Sequence, residues 1–398
     1  MSPAAQDISD WLLKEGLAGL EFGPLLTGLC ERLVDAGVPL VRCNFSMRAY
    51  HPEFGAFAYR WKRATGMEHE QYVRDSSIQL GWDQSPLKYL VETDHDEIRF
   101  RFSPDDTPYR FPMFEDLVAQ GASDYFALRL RFDGTGSNLS DPTQGVGLLA
   151  SFAGTAPDGF SDTDLDTLRK VAPAMALALK ANANMTMAQD LMATYLGADA
   201  GARVLSGAVG RGSVEGTEAV ILYFDLAGFT KMSEALGPGI VEMLNAYFGA
   251  VVPAIEARGG NVLKFMGDGI LAIFGKDSVP DTEMAAVDCL LDLQGAMAEV
   301  SSARAAENLP TTTATMALHA GEVFYGNIGS ATRLDFTVIG PAVNTAARIE
   351  AMTGAVDQPV VIGAKVARPL LERRNDLVSL GQYRLRGVAD RQELFTLD

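Results

Sequence analysis

Two acidic residues follow apolar runs within the segment 219–269, which reads AVILYFDLAGFTKMSEALGPGIVEMLNAYFGAVVPAIEARGGNVLKFMGDG. The apolar run 220–224 has the length of a buried strand and leads directly into Asp225. A second apolar segment ends in Gly267-Asp268-Gly269, a composition typical of a tight turn. Mg²⁺ prefers oxygen ligands and usually takes one or two carboxylates together with substrate phosphates. The segment therefore predicts two strands whose ends form a metal-binding edge.

Strands and helices alternate along the rest of this C-terminal region. We expect a strand at 218–224, a helix at 239–257, a hairpin at 261–274, a helix at 281–305, strands at 313–328 and 333–339, a helix at 341–353, a strand at 359–362, a helix at 363–371, and two short strands near 377–386 and 392–397. Runs of hairpin and helix in this order favour an α+β sandwich of the βαββαβ type.

Several separate motifs in residues 215–398 resemble the catalytic domain of class III nucleotidyl cyclases, which convert ATP or GTP into a 3′,5′-cyclic nucleotide. The resemblance implies that Asp225 and Asp268 bind two Mg²⁺ or Mn²⁺ ions per active site, with the backbone carbonyl of Leu226 as a further ligand. One ion would lower the pKa of the ribose 3′-hydroxyl, and the other would hold the triphosphate. Without the resemblance, each acid would more simply be read as the start of a turn.

Four further residues are candidates for contact with the substrate. Phe229 and Thr230 lie at the start of the helix after Asp225, where backbone N–H groups accept phosphate. Lys264 in KFMGDG and Thr337 in RLDFTVIG match the two positions that read the purine edge. Lysine can donate to adenine N1 and threonine can bond the N6 amino group, so this pair implies an adenylate cyclase that uses ATP. Guanine-reading members typically carry Glu and Cys there, and a guanylate cyclase remains the alternative.

The motif PAVNTAARIE supplies the residues that match the family's transition-state pair. The resemblance implies that Asn344 positions the ribose and that the Arg348 guanidinium stabilises charge on the α-phosphate. Two positions depart from the family pattern. Pro341 stands where many relatives have Asp or Asn, and Arg386 stands where many have a lysine that contacts the terminal phosphates. Arginine keeps the charge but changes the geometry of the contact.

The resemblance also implies a head-to-tail homodimer with two equivalent sites. In the family, the metal-binding acids come from one protomer, and the other protomer contributes the remaining groups, which here are Lys264, Thr337, Asn344, Arg348 and Arg386. A monomer would then be inactive. A protein of a different class also stays open: a sensor or scaffold that uses the cyclase domain only to dimerise and releases no pyrophosphate.

Residues 1–182 are expected to form a separate α/β unit. Apolar residues recur at helical spacing over 8–36 and predict one long helix. Strands are expected at 56–62, 125–132 and 145–152, the last two joined as a hairpin by the polar loop 133–143.

Ser161 and Asp164 have the spacing of a capping box and predict the start of a helix. Apolar residues then recur at spacings of three and four: Leu165, Leu168, Ala172, Met175 and Leu179. The segment 120–182 resembles the last strand and final helix of GAF-type sensor domains. This resemblance implies a GAF-like regulatory domain with a small-molecule ligand. A generic α/β regulatory domain is the alternative.

Residues 183–215 are expected to connect the two domains, leaving 216–398 as the catalytic domain. The apolar spacing of 185–196 predicts an extension of the preceding helix, and a short helix is expected at 198–205. In cyclases that carry sensors, such a connector commonly passes dimer geometry to the catalytic domain. A passive linker remains the alternative.

Composition limits the partners and the compartment. The net charge of −18 and the absence of a basic patch argue against a nucleic-acid partner. Three cysteines (Cys30, Cys43 and Cys289) lack metal-like spacing and are expected to be buried in a reducing compartment. Neither a secretory signal nor a membrane span is apparent, so we expect a cytoplasmic protein.

Overall fold

The computed structural model describes residues 3–48, 54–73, 79–103, 108–132, 147–207, 210, 212–275 and 279–398. The chain divides into two compact units, Met1–Leu191 and Met192–Asp398. The predicted domain limits after residues 182 and 215 fall on either side of this division and stay predictions.

The N-terminal unit consists of helices around one sheet. Its helices are α1 (Pro3–Leu17), α2 (Phe22–Asp35), α3 (Gln79–Asp83), α4 (Pro86–Glu92), α5 (Met113–Ala119) and α6 (Asp162–Leu196), the last of which continues into the second unit. Its strands are β1 (Leu40–Arg48), β2 (Phe54–Lys62), β3 (Gly66–Val73), β4 (Glu97–Arg101), β5 (Asp124–Arg131) and β6 (Gly147–Gly154).

The six strands form an antiparallel sheet in the order β3-β2-β1-β6-β5-β4. One face packs against α1, α2 and α6 around Leu29, Phe152 and Leu168. The opposite face packs against α4 and α5 around Leu90 and Phe114. The antiparallel pairing of β5 with β6 confirms the predicted hairpin, whose loop 133–143 lies outside the described residues.

The long helix predicted over 8–36 is two helices, so that prediction is wrong. Gly19 adopts φ +75°, a left-handed conformation that commonly ends a helix. The N–H of Leu20 donates to the carbonyl oxygen of Glu15 at 3.1 Å and closes α1. Apolar spacing continues across this break because both helices pack against the same core, so the spacing alone does not reveal the turn.

The start and length of α6 confirm two predictions. The Asp164 N–H donates to Ser161 Oγ at 3.2 Å, and the Ser161 N–H donates to Asp164 Oδ2 at 2.8 Å, which is the reciprocal pattern of a capping box. The helix then runs without interruption to Leu196, as expected from the 185–196 pattern. The five predicted apolar positions are all buried: Leu165, Leu168, Ala172, Met175 and Leu179.

The second unit has more elements. Its helices are α7 (Ala198–Leu205), α8 (Phe229–Leu236), α9 (Ile240–Ala257), α10 (Thr282–Ala306), α11 (Pro341–Glu350), α12 (Thr353–Val356) and α13 (Ala364–Ala367). Its strands are β7 (Val214–Leu226), β8 (Asn261–Met266), β9 (Gly269–Gly275), β10 (Ala314–Gly329), β11 (Leu334–Ile339), β12 (Val360–Gly363), β13 (Leu377–Tyr383) and β14 (Gln392–Leu397).

These strands form one sheet in the order β13-β14-β12-β10-β7-β9-β8, with β11 paired to β10. The succession β7-α9-β8-β9-α10-β10 is the predicted βαββαβ arrangement. Helices α9 and α10 cover one face of the sheet, and α7 and α11 pack on the other. The unit is therefore the α+β sandwich that the sequence predicts.

Alternation along β7 decides which way its terminal acid faces. Leu222 and Phe224 are buried against the α9–α10 layer, whereas Ile221 is buried on the opposite face. Successive side chains of a strand point to opposite faces, so Asp225 lies on the face with Ile221. The acid therefore faces away from the α9–α10 layer.

Helix α7 has the predicted bounds 198–205 and packs on the same face as Ile221. Ala200 is buried in one cluster with Leu263 of β8. Arg203 Nη1 donates to Glu215 Oε2 at 2.8 Å and ties the helix to the start of β7. The C-terminal half of the predicted connector thus packs as part of the catalytic unit.

Among the described residues, one helical stretch, Phe229–Ala257, has the length and composition of a membrane span, with a mean hydropathy of 1.3. It comprises α8, a 3₁₀ turn and α9. One face of α9 is buried against the sheet through Met243, Tyr247, Val251 and Ile255. That packing accounts for part of the apolar composition. The expectation that the chain has no membrane span stays an expectation.

Candidate active site

Asp225 and Asp268 meet at one edge of the second sheet. Asp225 pairs with Gly269 in the β7–β9 ladder, and Asp268 occupies the turn immediately before β9. The Leu226 N–H donates to the Asp268 carbonyl oxygen at 3.3 Å. A Cβ at Gly269 would come within 2.9 Å of Asp225 Oδ1, so only glycine leaves room for this carboxylate. Strand pairing therefore brings the two predicted metal-binding acids together.

The electrostatics of this edge suit a bound cation. Burial raises the pKa of Asp225 to about 6, and the carboxylates of Asp268 and Glu350 add to the rise. A cation would offset both the desolvation and the repulsion between the acids. Two carboxylates and a backbone carbonyl are the oxygen ligands that Mg²⁺ and Mn²⁺ prefer. Within the described ranges, no group of three or more His, Cys, Asp or Glu is arranged as a metal site.

Glu350 is a third carboxylate at this edge, and it is not among the residues predicted from the sequence. Its Oε1 accepts a hydrogen bond from Thr315 Oγ1 at 2.8 Å, and Thr315 pairs with Asp225 in the β10–β7 ladder. Its position at the end of PAVNTAARIE, the motif that contains Asn344, is the sequence feature that could have indicated a place at this site.

The turn after Asp225 leads into α8 and leaves the start of that helix free for an anion. Ala227 is held on both sides: its N–H donates to the Thr313 carbonyl oxygen at 2.9 Å, and its own carbonyl accepts from Thr312 Oγ1 at 2.7 Å. No side chain caps α8, whose first residues are the half-buried Phe229 and the exposed Thr230. Its first-turn N–H groups are therefore available to phosphate oxygens.

Lys264 comes from β8 and Thr337 from β11, two strands that do not pair with each other in the sheet. Lys264 Nζ lies 3.4 Å from Oδ2 of Asp335, which shares a face of β11 with Thr337 because the two residues are two apart. Thr337 is 5% exposed, and its hydroxyl has no hydrogen-bond partner among the residues that the structure describes. A buried hydroxyl left unpaired costs free energy, which a ligand group could recover. The sequence analysis did not anticipate Asp335, although it lies within RLDFTVIG.

Asn344 and Arg348 lie one turn apart on α11. Asn344 is exposed, and Arg348 Nη1 donates to the Gly387 carbonyl oxygen at 3.3 Å. Gly387 has φ +68° and follows the exposed Arg386, so the loop that carries Arg386 lies against Arg348. Pro341 is the first residue of α11, where a missing N–H and a fixed φ are tolerated. That departure from the family pattern is therefore accommodated.

The predicted residues fall into three groups in the structure. These are Asp225, Leu226, Asp268, Phe229 and Thr230 around the acidic edge; Lys264 and Thr337 beside Asp335; and Asn344, Arg348 and Arg386 around α11. Across the described residues, no hydrogen bond or ion pair joins Asp225 or Asp268 to Lys264 or Arg348.

Comparison with known proteins identifies the second unit. The family model described as "Adenylate and Guanylate cyclase catalytic domain" matches residues 213–398. An adenylate cyclase of Anabaena cylindrica is 36% identical over 151 residues, which are 38% of this chain and 30% of that protein. Adenylate cyclase 1 of Rhizobium meliloti (strain 1021) is 32% identical over 155 residues, covering 38% of this chain and 23% of that protein. The chain therefore spans less than a third of the length of either relative.

Among solved structures, the guanylyl cyclase Cya2 is 32% identical, with 46% of this chain and 93% of that chain covered and a TM-score of 0.41. The family match begins one residue before β7 and includes every site residue predicted from the sequence. Residues 213–398 of this chain belong to the adenylate and guanylate cyclase catalytic domain family.

Proposed function

We propose that this chain is an adenylate cyclase that converts ATP into 3′,5′-cyclic AMP and pyrophosphate, at sites shared between two copies. The observation that carries the choice of ATP is the buried, unpartnered hydroxyl of Thr337 next to the Lys264–Asp335 pair. The adenylate cyclases of Anabaena cylindrica and Rhizobium meliloti are relatives of this region.

The base-reading pair discriminates through hydrogen-bond direction. Lys264 can only donate, which suits the N1 acceptor of adenine, while guanine presents a donor at that position. The Thr337 hydroxyl can accept from the adenine N6 amino group. A buried site built for one base edge rejects the other because its polar groups would stay unpaired.

The phosphate chemistry relies on positioning and charge. The first-turn N–H groups of α8 would bind the triphosphate, and Asn344 would orient the ribose so that its 3′-oxygen faces the α-phosphate in line. The Arg348 guanidinium would stabilise charge on that phosphate as pyrophosphate leaves. Asp225, Asp268 and the Leu226 carbonyl would hold two Mg²⁺ or Mn²⁺ ions, which supply charge neutralisation and favour ionisation of the 3′-hydroxyl.

The homodimer is part of the same proposal. It is supported by the lack, within the described residues, of any hydrogen bond or ion pair between the carboxylate pair and Lys264 or Arg348, and a second copy is the source we propose for the facing groups. The N-terminal unit, proposed as GAF-like, would regulate this assembly through α6 and α7. A cytoplasmic location is part of the same proposal.

The experiment is cyclic nucleotide production by the purified chain, with ATP and GTP in parallel and with Mg²⁺ or Mn²⁺. We expect cyclic AMP from ATP, lost in Asp268→Asn, which keeps the side-chain shape and removes the charge. Asp357→Asn is the matched control, since this residue lies after α12, away from the predicted site. Preferential cyclic GMP would support the guanylate cyclase alternative. Nucleotide binding without pyrophosphate release would support the scaffold.

A further inference from the structure

The N-terminal unit contains an open pocket of about 540 Å³ whose lining is mainly basic. It is lined by Arg42, Arg60, Lys62, Asp116, Ala119 and Gln120. Three cations and one carboxylate gather here in a chain whose net charge is −18. The pocket therefore carries an excess of positive charge although the protein as a whole is acidic.

Strand register places these cations next to one another. Arg42 of β1 lies directly opposite Lys62 of β2, and the next pair on the same face is Asn44 opposite Arg60. Like charges directly opposite each other destabilise an antiparallel pair. Carboxylates on β3 offset this repulsion for Arg60 and Lys62, but not for Arg42.

The two cations on β2 have carboxylate partners on β3. Arg60 donates to both oxygens of Glu70, at 2.7 and 3.1 Å, and Lys62 donates to Glu68 at 2.8 Å. Both pairs are diagonal, because Arg60 lies directly opposite Glu68 and Lys62 directly opposite Gly66, so each cation reaches the carboxylate two residues along β3. Arg42 lies on β1, on the other side of β2 from β3, and takes part in neither of these ion pairs.

Arg42 has no carboxylate within ion-pair distance in the part of the chain that the structure describes. Burial lowers the pKa of Arg42, and the Arg60 guanidinium lowers it further. Within the described residues, the buried Nε–H of Arg60 also has no acceptor.

We propose that this pocket binds a small anionic molecule through a carboxylate or phosphate group, held by the Arg42 guanidinium and the Nε–H of Arg60. An arginine fork matches the two oxygens of such a group, and the anion would relieve the repulsion between Arg42 and Lys62. The volume falls within the range of small-molecule sites, about 300–1,000 Å³. Gln120 and Asp116 at the rim would contact polar parts of the ligand. This inference does not depend on the cyclase activity.

The test is isothermal titration of the full chain with inorganic phosphate and with citrate, at ionic strength held constant with NaCl. We expect saturable binding of at least one probe, weakened about tenfold or more by Arg42→Gln because a charge-assisted bidentate contact is lost. Arg63→Gln is the matched control. Arg63 is an exposed residue in the turn after β2, so its loss removes the same charge and should leave the Kd within about twofold.

Thermal denaturation provides a second readout that also checks folding. Without anions, Arg42→Gln should melt at the same temperature as the wild type or higher, because it removes an unpaired cation opposite Lys62. The bound probe should raise the Tm of the wild type and of Arg63→Gln, but not that of Arg42→Gln. Arg42→Lys, which keeps the charge without the fork, should give an intermediate shift. The proposal is overturned if neither probe saturates, or if Arg42→Gln and Arg63→Gln weaken binding equally.

Discussion

At the scale of single residues, the Thr337 hydroxyl is expected to contribute to substrate recognition and not to stability. Thr337→Val removes a buried hydroxyl that has no partner, so the free energy of unfolding should stay the same or rise by about 1 kcal/mol. The same change should lower kcat/KM for ATP about tenfold, because the N6 amino group loses its partner. Urea denaturation and cyclic AMP formation measure the two effects.

Thr396→Val is the control for this prediction. Thr396 is also buried, but its hydroxyl donates to the Val360 carbonyl oxygen at 2.8 Å. Loss of this hydrogen bond should lower the free energy of unfolding by about 1 kcal/mol. The kcat/KM per folded molecule should stay unchanged. If Thr337→Val instead lost stability and kept its activity towards ATP, Thr337 would be structural and the choice of ATP would lose its main support.

His319 makes the stability of the catalytic unit depend on pH. Burial, together with the nearby charge of Lys365, lowers the pKa of this histidine to about 4, so it stays neutral in the folded protein down to about that pH. Above pH 6.5 both states are neutral, and the group contributes nothing. As the pH falls below 6.5 the unfolded chain binds a proton first, and by pH 5 the free energy of unfolding should have dropped by about 2 kcal/mol.

Unfolding curves of wild type and His319→Gln between pH 7 and pH 5 isolate this contribution, since other titrating groups are common to both. Parallel pH dependences would refute it.

At the scale of elements, Arg374 holds the segment before β13 against α10. It is largely buried and pairs with Asp288 of α10 and with Asp376 at 2.6 Å. Arg374→Met should cost about 1–3 kcal/mol, because the half-buried Asp376 loses this partner and Asp288 keeps only the 3.4 Å contact with Arg258. Arg373→Met, which breaks the more exposed pair with Asp281, should cost less than about 1 kcal/mol. Equal losses in urea denaturation would contradict the role of the Arg374 contacts.

The junction of α6 and α7 depends on Gly201. A Cβ at this position would lie 2.8 Å from the backbone carbon of Met192 and 2.9 Å from the Ala193 nitrogen, so Gly201→Ala must shift α7. Because α7 packs on β8, which carries Lys264, we expect a roughly severalfold loss of kcat/KM and a stability loss of about 1–3 kcal/mol. Gly249→Ala on α9, where the space is open, should keep activity and gain up to about 1 kcal/mol. Unchanged activity in Gly201→Ala would indicate a passive linker.

At the scale of the whole molecule, elements were predicted better than the contacts between them. The apolar run before Asp225 and the turn at Gly267 were enough to place both acids at strand ends, because strand patterns are local. The position of Glu350 beside Asp225, and of Asp335 beside Lys264, depends on the pairing of β10 with β7 and on the approach of β11 to β8. Spacing along the chain does not encode these long-range contacts. The break at Gly19 was missed because both helices share one apolar face.

In the proposed dimer, each active site takes its acids from one copy and its Lys264 and Arg348 from the other. The most direct test of this arrangement is a mixing experiment with two variants, Asp268→Asn and Arg348→Met, each expected to be inactive alone. Random association of equal amounts gives half heterodimers, each with one intact site of two, so mixing should restore about a quarter of the wild-type cyclic AMP formation. A mixture that stays inactive, while each variant still dimerises and the wild type is active, would contradict the shared site.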